Sequence, residues 1–267
     1  MNREELKHIF QQAPAVIGMV HLPALPGSPG FSGDVEAVHS AALSDALALQ
    51  QAGVGALMVE NFGDAPFFPD QVPAETVAAM ASVLRLLRAE CSLPLGVNVL
   101  RNDALSAMAV AAATGAAFIR VNILSGTRVT DQGVISGRAA ELLRLRKNLR
   151  ADVKIFADVN VKHSAPLVSR SLEDEAAELT GRAGADAVIA TGAMTGRAVS
   201  LDELRELRAA LGETALIAGS GVTPESIAEI LTIADAVIVG TAIKKGGKTT
   251  APVDPGRVEK LIQSFTR

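Results

Sequence analysis

Short apolar runs alternate along the chain with longer stretches in which apolar residues recur every three or four positions. The runs lie at 16–22, 56–61, 95–100, 118–123, 154–161, 187–191, 215–219 and 236–240. Most are continuous rather than alternating, as expected for strands covered on both faces of a parallel sheet. The helical stretches lie at 34–51, 74–90, 103–114, 138–149, 172–183, 201–211, 224–233 and 255–265. In the first of them Val35, Val38, Ala42, Leu43, Ala46, Leu47 and Leu49 carry the helical spacing. One more helix, 2–11, precedes the first run.

The boundaries carry the expected punctuation. Ser200 stands before Leu201-Asp202-Glu203, and Thr223 before Pro224, as helix caps. Gly53, Gly115, Gly184 and Gly212 follow helices, where a left-handed stop is favoured. No linker-like Ser/Pro/Gly run and no charge block divides the chain, so residues 1–267 read as a single domain. Eight strand–helix units predict an α/β fold, a single (β/α)8 barrel with the N-terminal helix closing its bottom. A doubly wound open sheet is the alternative. It is disfavoured because the alternation continues to the C-terminus and no Gly-rich dinucleotide turn follows the first strand.

A barrel places its chemistry at the C-terminal strand ends, which should then be unusually polar. They carry His21, then Glu60 and Asn61, Asn98, Arg120 and Asn122, then Asp158, Asn160, Lys162 and His163, then Thr191 and Thr195, Ser220 and Thr241. The densest cluster follows the fifth strand. Strict alternation would put Asp158, Asn160 and Lys162 on one face, with His163 at the rim. We read this row as the floor of an active site; the alternative is a structural polar network inside the barrel. Asp158 is the candidate general acid–base, and Lys162 its electrostatic partner or a Schiff-base amine. His21 or His163 is the second proton carrier, with Glu60 beside them. Asn98, Arg120, Asn122, Asn160 and Thr191 are candidate substrate-binding groups. The turns Ser220-Gly221 and Gly240-Thr241 suit a phosphate, because glycine lets backbone N–H groups approach an anion and a following helix adds its dipole. Close helix–sheet packing would also call for small residues there. The loop 124–137, with Gly126, Gly133 and Gly137, reads as a lid or as a plain structural loop.

Composition narrows the classes. Hydrophobic residues make up 49% of the 267, enough for a large core, while aromatics are 3% with no Trp or Tyr. A net charge of −4 and the missing stacking residues exclude a general nucleic-acid binder. Cys91 is the only cysteine, so no intrachain disulfide forms, as expected in a reducing compartment. The charged start is no secretory signal, and the Ala-rich stretch 104–119 is too short and interrupted to span a membrane. These features suggest a cytoplasmic soluble protein. No metal-ligand spacing is present, and no cofactor is expected. His8 and His39 read as surface or packing residues. Nothing in the sequence opposes a homo-oligomer.

The stretches GMVHLPALPGSPG, ALMVENFGDAPF, FADVNVKHSAPL, AVIATGAMTG, GSGVTPESI and ADAVIVGTAIKKGG, followed by PVD, resemble the BtpA/SgcQ family across nearly the whole chain. The resemblance implies a TIM barrel similar to the ribulose-phosphate-binding barrels. It brings two functional expectations. One is an enzyme on a small phosphorylated sugar or nucleoside-like metabolite, with isomerase, lyase and hydrolase chemistry all open. The other follows the family's name, from a thylakoid-associated role in photosystem I biogenesis: a non-catalytic assembly factor associating peripherally with a membrane complex. The dense polar strand-end set favours the enzyme, since a purely structural barrel would not need it.

Overall fold

The computed structural model describes residues 1–10, 15–192 and 199–266. Thr195, one of the strand-end residues singled out above, lies outside them. The strands are β1 (Ala15–His21), β2 (Ala56–Glu60), β3 (Leu95–Asn98), β4 (Phe118–Val121), β5 (Thr127–Thr130), β6 (Gly133–Ser136), β7 (Lys154–Val159), β8 (Ser164–Pro166), β9 (Ala187–Ala190), β10 (Ala215–Ala218) and β11 (Ala236–Val239). Eight of them close a parallel barrel in the order β1-β11-β10-β9-β7-β4-β3-β2. The helices are α1 (Arg3–Phe10), α2 (Val35–Gln51), α3 (Ala74–Glu90), α4 (Ala104–Thr114), α5 (Ala139–Asn148), α6 (Leu172–Ala177), α7 (Leu201–Leu211), α8 (Ile227–Ile230) and α9 (Pro255–Gln263). Ser200 forms a reciprocal capping box with Glu203, and Asp34, Asp103 and Asp254 accept from the first turns of their helices.

The strand parity sorts the core into two layers. Outward residues such as Val16, Leu57, Val97, Ile119, Ile155, Val188, Leu216 and Val237 pack against the helices. Inward residues fill the barrel: Ala15, Ile17, Met19, Ala56, Met58, Phe118, Phe156, Ala187, Ile189, Ala215, Ile217, Ala236 and Ile238. The filling is uneven. Alanine recurs at the bottom of five strands, while Phe118 and Phe156 stack there with ring centroids 4.7 Å apart. Gly96 makes their room, since a Cβ on it would lie 2.1 Å from the Phe118 ring. Phe10 of α1 meets both rings edge-on, so the N-terminal helix plugs the barrel bottom.

Two expectations change in the structure. The stretch 124–137 is no free loop: β5 and β6 form an antiparallel hairpin, and β5 also pairs with β8 from the loop after β7. Arg128 Nε donates to Ser164 Oγ at 2.8 Å, tying the two top loops together. The helix expected over 224–233 contracts to the four-residue α8, because Thr223–Ser226 form a local turn whose hydroxyls bond one another and the backbone.

At the barrel's closing edge Lys244 is buried at 1% exposure. Its Nζ lies 2.5 Å from Asp45 Oδ2 on α2, and Asp45 Oδ1 accepts from the Val253 N–H at 2.7 Å. Lys244 and Val253 also form an antiparallel bridge. One carboxylate therefore pins both feet of the loop 245–252.

Candidate active site

Each barrel strand turns polar inside at its C-terminal end. Continuing the inward parity gives His21, Glu60, Asn98, Arg120, Asp158, Thr191, Gly219 and Gly240. Register then pairs neighbours: His21 lies beside Glu60, and Glu60 beside Asn98. Asn98 Nδ2 donates to Glu60 Oε2 at 2.5 Å. Arg120 grips Asp158 across β4 and β7, with Nε 3.2 Å from both carboxylate oxygens and Nη2 3.0 Å from Oδ2. Asn122 Nδ2 adds a third donor at 2.7 Å. Above this ring opens a cavity of about 460 Å3.

His21, Glu60, Arg120, Asn122, Lys162 and His163 line that cavity, as do Ser220, Gly221, Gly240 and Thr241. Asp158, Asn98, Asn160 and Thr191 do not; Asp158 holds Arg120 and Asn122, and Asn98 holds Glu60, all three of which do. Asp158 is spent on Arg120 and Asn122, and Thr191 Oγ1 donates to the Asn160 carbonyl at 2.8 Å. The expected single face of Asp158, Asn160 and Lys162 is broken for a backbone reason. β7 ends at Val159, and Asn160 takes the left-handed conformation at φ 55°. Alternation stops there, so Lys162 swings into the cavity while Asp158 stays in the ring below. His163, at φ 51°, turns the chain again. Of the proposed acid–base set, Asp158 is thus the member whose geometry is that of a positioning residue.

Several lining residues carried no signal in the sequence. Arg101 follows β3, and its Nη2 donates to the Lys162 carbonyl at 2.5 Å. Asp131 and Gln132 reach the cavity from the hairpin tip, and Thr249 from the loop after β11. Thr249 Oγ1 lies 2.9 Å from Thr241 Oγ1. Arg101 follows the apolar pair Val99-Leu100 in an otherwise plain Arg-Asn-Asp turn, which reads as a helix lead-in. Phe62 and Phe67 close the rim on the side of β2.

The electrostatics divide the cavity. Burial first, then Arg120, hold the Lys162 amine down at about 8, against the opposing pull of Asp158 and Glu60. Burial first, then Lys244, push His21 down to about 3. Its Nδ1 lies 3.2 Å from the Thr249 carbonyl, the geometry of an N–H donor. The 3.6 Å approach of Nε2 to Glu60 Oε1 is therefore not an ion pair near neutral pH, since the imidazole is uncharged there. Between pH 6.5 and about 3 the unfolded chain binds a proton at this position and the folded chain does not. The stability His21 contributes is complete above pH 6.5 and drains away as pH falls through that window. A His21→Gln variant should lose less stability than the parent on going from pH 7 to pH 4 in urea titrations. A parent–variant difference that stays constant with pH would mean that His21 titrates normally.

Polar atoms are also left for a ligand. Asn122 Oδ1 and Gln132 Oε1 are buried without a partner among the described residues. The N–H groups of Gly221 and Val222 bond to no acceptor among the described residues. Gly221 has φ 65°, which aims the turn inward, and a Cβ on Gly240 would come within 2.9 Å of the His21 ring. The helix dipole expected behind this site is missing: α8 begins only at Ile227 and has four residues. What lines the cavity there is the backbone of the two turns, with Arg101 and Arg120 on the opposite wall. No group of three or more His, Cys, Asp or Glu suited to a metal ion occurs among the described residues, and none of their helices is long and apolar enough to cross a membrane.

Comparison with known proteins adds family and fold. The model of the BtpA family matches residues 12–267. An uncharacterised protein of Thermococcus kodakarensis is 47% identical over 95% of this chain and 95% of its own. The photosystem I biogenesis protein BtpA of Synechocystis is 41% identical over 98% of this chain and 91% of its own. Among solved structures, KGPDC from Streptococcus mutans superposes with a TM-score of 0.60 at 11% identity, covering 96% of this chain and 99% of that one. Phosphoribosyl anthranilate isomerase from Thermococcus kodakaraensis gives 0.58 at 15% identity, covering 95% and 99%. At such identities these structures establish the shared TIM-barrel fold.

Proposed function

The chain belongs to the BtpA family, and on that premise we propose that it is an enzyme acting on a small phosphorylated sugar or nucleoside-like metabolite. The observation that carries the reading is a cavity with two unlike walls. In the barrel order, β10 and β11 stand four places from β3 and β4. The glycine turns at Ser220-Gly221 and Gly240-Thr241 therefore face Arg101 and Arg120 across the opening. A phosphate held by backbone N–H groups on one wall leaves the sugar-like body under the cationic wall. There Asn122 and Gln132 have oxygens open to hydroxyl donors. The neighbouring barrels whose names include a phosphoribosyl substrate have the same architecture. The Synechocystis relative's name supports a second reading, docking on a membrane complex, but that reading gives the polar cavity no task.

Ribose 5-phosphate and inorganic phosphate should both bind saturably in calorimetric titrations, and in crystals the phosphate should sit on the 220–222 and 240–241 turns. Gly221→Ala strains a positive-φ turn and misdirects its N–H. Loss of one charge-assisted hydrogen bond, about 1.5 kcal/mol, corresponds to roughly tenfold weaker phosphate binding. Phosphate that binds elsewhere, or a Gly221→Ala variant with unchanged affinity, would count against the site.

A further inference from the structure

We propose that Lys162 is a covalent catalyst whose Nζ condenses with a carbonyl carbon of the substrate, so that the ligand is a phosphorylated aldehyde or ketone. The inference rests on the phosphometabolite reading and narrows it to a carbonyl class. It begins from how the lysines are placed. Lys244 is consumed by Asp45. Lys154 pairs with Asp152 at the start of β7, at the end of the barrel away from the cavity. Lys245 and Lys248 are exposed on the loop after β11. Lys162 alone among these lines the cavity, and no carboxylate lies within ion-pairing distance of its Nζ among the described residues. The two buried carboxylates nearby are already engaged, Asp158 by Arg120 and Glu60 by Asn98. Their engagement keeps them from locking the amine into a salt bridge.

The base of Lys162 is fixed. Arg101 holds its carbonyl, and left-handed residues stand two positions before it and one after it. In the barrel order β7 lies four places from β1, so the amine faces His21 across the opening. The groups that act on it are Arg120 from β4, Asp158 from β7, Glu60 from β2 and Arg101 from the turn after β3, with His163 next in the chain. Two of these are fixed cations, and with burial they favour the neutral amine, whose lone pair is the nucleophile.

The step balances without any oxidant. The Nζ lone pair forms a C–N bond to the carbonyl carbon while the carbonyl oxygen takes up one proton and the nitrogen gives one up, giving a neutral carbinolamine. Loss of the hydroxyl as water, helped by a proton from the cavity, leaves a protonated imine. In net terms one neutral amine, one carbonyl and one proton give one iminium and one water. Glu60, on the cavity wall, is the carboxyl placed to relay that proton. The iminium then withdraws electrons from the adjacent carbon, which serves either isomerisation or carbon–carbon cleavage.

Reductive trapping tests this. The full-length protein is incubated with dihydroxyacetone phosphate and sodium cyanoborohydride, and the adduct is located by peptide mass spectrometry. Lys162 should be labelled at least tenfold faster than Lys245 or Lys248, with a rate that rises with pH through about 8. Glycerol 3-phosphate, which has the phosphate but no carbonyl, should suppress the labelling. Lys162→Arg, which keeps a cation in place, and Lys162→Met should both lose the cavity adduct, with folding checked by thermal melts. Labelling spread evenly over exposed lysines, or unchanged in a folded Lys162 variant, overturns the proposal. Glycerol 3-phosphate binding is measured separately by calorimetry. Binding without trapping refutes only the covalent role, whereas absence of both refutes the phosphometabolite reading as well.

Discussion

Replacing Asp158 with Leu should lower the unfolding free energy by about 3–5 kcal/mol, the usual cost of stranding one member of a buried ion pair. Asp158 and Arg120 have side chains exposed by 1% and 7%. The carboxylate accepts three contacts from the guanidinium and one from Asn122, so its removal leaves a desolvated cation with only the more distant charge of Glu60 to offset it. Urea titrations of the parent, Asp158→Leu, Arg120→Met and the double variant form a double-mutant cycle. The double variant should recover most of the lost stability, because no charge then remains buried and unpaired. A single variant as stable as the parent would show that water or another group solvates Arg120. The same series separates structure from chemistry. Asp158 does not reach the cavity, so an Asp158 variant should alter activity only as far as it displaces Arg120 or changes the charge felt by Lys162.

Lys244→Met should cost a similar amount, again about 3–5 kcal/mol. The ammonium is 1% exposed, and Asp45 would remain as a buried carboxylate bonded, among the described residues, only to the Val253 N–H. A further consequence is local. The loop from 245 to 252 springs from this anchor, and its Thr249 contacts both His21 and Thr241. Loosening the anchor should weaken phosphate binding along with stability, whereas an exposed-loop variant such as Lys248→Ala should leave stability within about 0.5 kcal/mol of the parent. Asp45→Leu combined with Lys244→Met is expected to restore much of the stability without restoring the affinity. If Lys244→Met melts like the parent, the pair contributes little and the loop is held by its backbone bridge alone.

The helices packed around the barrel and the strands beneath the cavity were legible from local chemistry. Continuous apolar runs mean strands covered twice, and Ser200, Asp34 and Asp254 mark helix starts by the hydrogen bonds their side chains can make to nearby N–H groups. Such signals depend on residues a few positions apart. The change from apolar to polar at the strand ends was legible for the same reason, and it located the cavity on the correct face of the barrel. Within that face, the sequence named His21, Glu60, Arg120, Asn122, Lys162, His163 and the two glycine turns, all of which line the opening.

Closure of the barrel decided the rest. Arg101 reaches Lys162 across sixty-one positions of chain, and Thr249 reaches His21 across 228. No periodicity links residues in loops, so only the strand order brings them together. The pairing of Asp158 with Arg120 depends on β7 lying next to β4 in a given register, and that pairing converts a candidate acid–base into a clamp. The departure at Asn160 depends on a backbone angle that asparagine tolerates but its sequence does not announce. Residue chemistry alone set which groups are available at the barrel mouth. Which of them are spent on each other, and which remain for a ligand, followed from the burial of charges that must find partners when water is removed.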